Sequence, residues 1–147
     1  MRSFQQLEAA IESLSPDTDP KDAAAELLKI SEEVLEHWIE GRGLTPTDET
    51  REGFRLLALH RQGSKGDPSF NACRETCREV AYHFNLLTLQ PEHGETTHRL
   101  EMMKMVSSHL LLFVSGKMQV AELGEFCCSS KPVRLAAEND TQSTREA

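Results

Sequence analysis

Apolar residues recur along this chain at steps of three and four rather than two, and clusters of proline and glycine cut the pattern into helix-sized pieces. Five helical segments and no strand follow. The first starts after Ser3, an N-cap with Gln6 three positions on, and carries Phe4, Leu7, Ile11 and Leu14 on one stripe until Ser15-Pro16 stops it. The second spans about 20 to 40. There Asp19 caps, Pro20 suits the first helical position, and Asp22 favours the positive helix end. Leu27, Leu28, Val34, Leu35 and Trp38 form one apolar face before Gly41 and Gly43.

The third segment is predicted to open at Thr45-Pro46 or Thr47, with Asp48 and Glu49 in its first turn, and to run to about Gln62 through Phe54, Leu57 and Leu59. Gly53 weakens it by about 1 kcal/mol relative to alanine. GSKGDP reads as a connection, after which Asp67 caps a fourth helix from Pro68 to about Gln90, striped with Phe70, Cys73, Cys77, Val80, Ala81, Phe84 and Leu87. The fifth starts after Gly94, capped by Thr96 or Thr97, and reaches at least Ser115. Met103, Val106, Leu110 and Phe113 make one stripe on it and Met102, Met105 and Leu112 another. A helix apolar on two sides is central or covered by a second subunit. KMQVAELGEF after Gly116 fits either a short helix or a docked segment.

The fold class is therefore all-α: a single-domain helical bundle of about five helices, four core helices and a short one, over residues 1–127. From 128 to 147 only Val133 and Leu135 are sizeable apolar groups. Such a stretch buries too little surface to offset the entropy of ordering, so a disordered tail is expected.

Composition narrows the function classes. The chain has 147 residues, 38% of them hydrophobic and 27% charged, as befits one globular domain without internal repeats. Its longest apolar run, Leu110 to Val114, is far short of the roughly 20 residues a membrane span needs, and the N-terminal segment is amphipathic rather than leader-like. A cytoplasmic protein without membrane contact is predicted. On that expectation, Asn139-Asp140-Thr141 matches a glycosylation acceptor only by chance.

Sixteen Lys and Arg stand against 24 Asp and Glu, a net charge of -8, and the whole excess lies in residues 1–49, with four cations against twelve carboxylates. That field repels phosphate backbones and argues against nucleic acid as a partner. The nearest basic group in sequence, Arg51, Arg55, Arg61 and Lys65, reads as a solvated helix face.

Three constellations carry candidate chemistry. Cys73 and Cys77 lie one helical turn apart, and Cys127 or Cys128 could complete a metal or redox site with them. However, the first pair falls on the apolar stripe where small buried hydrophobes belong, and neither pair has the two-residue gap of a zinc knuckle. His98, Met102, Met105 and His109 follow one another at steps of four, three and four. Imidazole and thioether donors suit copper or haem, while the plainer alternatives are core filling or an adaptable protein contact. Glu-x-x-His, the spacing of carboxylate-bridged di-iron bundles, occurs only at Glu95 and His98, where the helix dipole already accounts for the acid. Glu32, Glu36 and Glu40 repeat every four residues away from the apolar face and offer an acidic stripe to a basic protein partner.

Phosphate-loop, dinucleotide, nucleophile-elbow, zincin and EF-hand motifs are absent, and no residue set points to a reaction type. The expected function is thus a protein–protein interaction or regulatory module. It is predicted to be a homodimer through Met102, Met105, His109 and Leu112, with Glu32, Glu36 and Glu40 tuning partner choice. The alternative is a metal- or cofactor-binding bundle with Cys73, Cys77, Cys127, Cys128, His98 or His109 as ligands to a transition metal, haem or iron–sulfur centre.

Overall fold

The computed structural model describes residues 1–121, so Cys127, Cys128 and the expected tail lie outside the described residues. The described chain is all-α: α1 (Phe4–Glu12), α2 (Pro20–Gly41), α3 (Arg55–Ser64), a 3-10 turn (Pro68–Cys73), α4 (Arg74–Leu89) and α5 (Thr96–Ala121). No strand occurs among these residues, and no helix among them is long and apolar enough to cross a membrane.

Both predicted caps at the N-terminal end form as the sequence dictates. Ser3 Oγ accepts from the Gln6 amide while Gln6 Oε1 accepts from the Ser3 amide, closing a capping box on α1. Asp19 accepts from the Lys21 and Asp22 amides, and Pro20 sits at the first position of α2. Thr96 behaves differently from the expected cap of α5, since its hydroxyl donates backwards to the carbonyls of Pro91 and His93.

Two elements depart from the predicted boundaries. The stretch from Thr45 to Phe54 is not helical. Glu52 (φ 55°) and Gly53 (φ 86°) both take the left-handed conformation, which reverses the chain so that Arg51 and Phe54 exchange backbone hydrogen bonds. Long-range bonds fix the preceding segment: the Thr47 amide donates to Gln62 Oε1, and Arg55 Nε donates to the Thr47 carbonyl. The fourth helix is also split, because Pro68–Cys73 winds as a 3-10 turn and only then relaxes into α4. Conversely, α5 continues past Gly116 to Ala121, absorbing the first part of the ambiguous segment.

Helices α2 and α5 form the centre. α5 packs against α1, α2 and α4, and α2 also receives α3 and α4. The core joins Leu27, Ile30, Val34 and Leu35 of α2 to Met103, Leu110, Val114 and Met118 of α5 and to Val80 and Leu87 of α4. Where α2 meets α5, Ser31 and Ser107 are both buried. Ser31 Oγ donates to Ser107 Oγ at 3.3 Å, so the Ser31 hydroxyl proton finds its acceptor across the helix–helix contact.

A second cluster ties α2, α3 and the 3-10 turn together. The Trp38 and Phe70 rings stack at 4.9 Å and 7°, and Trp38 Nε1 donates to the Gly63 carbonyl at 3.0 Å. The Arg42 guanidinium and the Lys117 ammonium both lie over the Trp38 ring, at 5.3 and 5.2 Å.

Candidate functional site

The predicted acidic stripe is only in part a free surface. Glu32 and Glu36 are half-buried and converge on Arg55, whose Nη1 lies 3.5 Å from Glu32 Oε1 and bonds Glu36 Oε2 more closely. Arg55 thereby leaves the basic group in which the sequence placed it. Beside this pair, Arg2 bonds Glu33 and Glu26 at 2.8 and 2.9 Å. Arg2, Glu32, Glu33, Glu36 and Arg55 line a cleft of about 540 Å³ together with Lys29, and the first five are engaged in internal ion pairs. Burial pushes the Glu32 carboxyl up, against the pull of Arg55, whereas hydrogen bonds from Arg2 hold the Glu33 carboxyl below its ordinary range. Of the predicted stripe, Glu40 is the member left exposed.

Cys73 and Cys77 are buried, at 2% and 0% exposure. Cys73 Sγ lies 3.3 Å from the Phe70 carbonyl, and His60 Nε2 donates to that same oxygen at 3.2 Å. A hydrogen bond from Cys77, opposed by burial and aided by His60, lowers the Cys73 thiol pKa. Sharing that proton and being buried raise that of Cys77. Spacing in the sequence does not group His60 with the cysteines, because it joins the pair only through the 3-10 turn that brings Phe70 and Cys73 over α3. Among the described residues, no three or more His, Cys, Asp or Glu side chains are arranged to hold a metal ion.

The histidine and methionine stripe of α5 does not fill the core. Met105 and Leu112 are 49% and 62% exposed, His98 and His109 are exposed, and Met102 is half-buried. The buried sulfurs of this helix are Met103 and Met118, on the opposite side. Residues 98, 102, 105, 109, 112 and 116 recur at steps of four and three, which is a heptad seam, and Val120, 68% exposed, extends the same face. From Met102 to Val120 the seam contains no Lys, Arg, Asp or Glu. On α4, Tyr82 and Leu89 are also exposed, seven residues apart.

These features define a small all-α bundle whose central helix presents to solvent a partly apolar seam without Lys, Arg, Asp or Glu from Met102 to Val120. Compared with known protein families, characterised proteins and solved structures, the chain shows no match.

Proposed function

We propose that the protein is an interaction module that self-associates through the outward seam of α5, formed by Met102, Met105, His109, Leu112 and Val120. The observation that carries this is the exposure of large apolar groups at heptad spacing on a helix that already buries a full stripe inside the bundle. A second copy is the occupant that charge favours. The negative excess lies in residues 1–49, and the α5 seam, outside that segment and without Lys, Arg, Asp or Glu from Met102 to Val120, is where two copies meet at least electrostatic cost. A two-fold pairing would set the same seam against itself, with methionine adapting to irregular gaps.

Glu40 and the exposed edge of α2 remain available to a basic protein, although Glu32 and Glu36 are largely engaged by Arg55. A metal- or cofactor-binding bundle is the alternative, with Cys73 and Cys77 as its thiolates, and elemental analysis of protein purified without chelator separates the two. Leu112→Asp tests self-association. It places a charge on an exposed position of the seam, so it is expected to shift the protein to monomer in size exclusion while leaving the thermal midpoint within a few degrees. An unchanged elution volume would remove the support for this interface.

A further inference from the structure

A cavity of about 230 Å³ opens between α3 and the start of α4, and its wall is cationic. Arg51, Arg61, Arg74 and Arg78 line it together with His60, and no carboxylate does. Four guanidiniums around one small space are unexpected in a chain of net charge -8, since their mutual repulsion stabilises nothing unless a counter-charge sits among them.

The internal counter-charges are fewer than the guanidiniums. Arg78 holds Glu52 with two bonds, at 3.0 and 3.1 Å, and Arg74 holds Glu75 at 2.9 Å. Both carboxylates also line the neighbouring depression, and Glu52 lies within electrostatic range of Arg51 and Arg74 as well as Arg78. Arg51 and Arg61 make no side-chain ion pair among the described residues. Four guanidiniums less two carboxylates leave two positive charges at the cavity.

We propose that this cavity binds a phosphate group, as inorganic phosphate or as a small phosphate monoester. Guanidinium forks pair with phosphate oxygens through parallel, charge-assisted hydrogen bonds. At neutral pH a phosphate monoester carries about -1.5 to -2 charge, close to the uncompensated charge of the wall. The size points the same way, because ligand pockets for larger molecules run from about 300 to 1,000 Å³. His60 supports the wall without being free to swing away. A carbonyl oxygen only accepts, so His60 Nε2–H is committed to Phe70, which fixes the ring in place. The cavity is separate from the α5 seam, so it stands or falls independently of self-association.

Calorimetric titration of the full chain tests the proposal, with inorganic phosphate and glycerol 2-phosphate as probes and sodium chloride and citrate at matched ionic strength as comparators. Saturable 1:1 binding of a phosphate probe is expected, absent for both comparators. Tighter binding of glycerol 2-phosphate would identify an ester as the ligand class, and equal binding would identify the free ion. The Arg51→Gln/Arg61→Gln double variant, altered at two exposed positions without internal ion pairs, should keep its circular dichroism spectrum and lose at least tenfold in affinity. Lys65→Gln, outside the cavity wall, should bind within twofold of the wild type. Heats that match sodium chloride, equal binding of citrate, or unimpaired binding by the double variant would each overturn the proposal.

Discussion

Gly63 shows how much of the bundle depends on a single missing carbon. A Cβ there would lie 2.9 Å from Phe70 Cε2 and 3.0 Å from Trp38 Cδ1, both on rings held by stacking and burial. Both rings are buried and stacked on each other, so moving either disturbs the pair. Gly63→Ala is therefore expected to cost about 1–3 kcal/mol in chemical denaturation, as overpacking does, although alanine is the better helix former. A stabilised variant would mean that the Trp38–Phe70 stack is looser than described. At the same scale, the lowered pKa of Cys73 and its burial act in opposite directions on reactivity, and access decides. Cys73 and Cys77 are expected to resist iodoacetamide in the native protein and to be labelled after denaturation, with mass spectrometry assigning the sites. Rapid native labelling at either would contradict their enclosure.

At the scale of elements, ion pairs connect the start of the chain to α2. Arg2 reaches Glu26 and Glu33, and its carbonyl accepts from His37 Nε2 at 2.7 Å. Because the folded state depresses the Glu33 pKa, the stability it contributes is present above the ordinary carboxylate value and is lost as pH falls through the depressed one. Glu32, raised by burial, acts in the opposite sense and loses stability as pH rises through its own range. Arg2→Ala removes the first effect only. Denaturation measured between about pH 5 and pH 3 should show a shallower acid-side loss of stability in Arg2→Ala than in the wild type, and identical slopes would show that the pair contributes nothing.

Elements with strong local signals were legible from the sequence. Ser3 with Gln6, and Asp19 with Pro20, mark helix starts through contacts made within three residues, and the spacing of Leu27, Val34 and Trp38 locates the buried face. The start of α3 was not. Thr45 to Glu49 resembles a helix N-terminus, but Gln62 and Arg55 hold it from a distance, and the Glu52-Gly53 reversal decides where the helix begins. Candidate surfaces divide in the same way. The α5 seam lies on one helix and is visible as periodicity. The arginine cavity draws on α3, α4 and the loop before α3, so adjacency in sequence grouped Arg51 and Arg61 with Arg55 and missed Arg74 and Arg78.

Over the whole molecule, α5 has two apolar faces for one bundle. Leu100, Met103, Leu110 and Val114 are consumed inside, while Met105, Leu112 and Val120 remain outside. On the proposed self-association, a matching seam on a second copy covers this outer face. Sedimentation equilibrium over a wide concentration range tests this most directly. A mass rising from 16.5 kDa toward twice that value as concentration increases is the expected result. A mass that stays at 16.5 kDa at the highest concentration would contradict it.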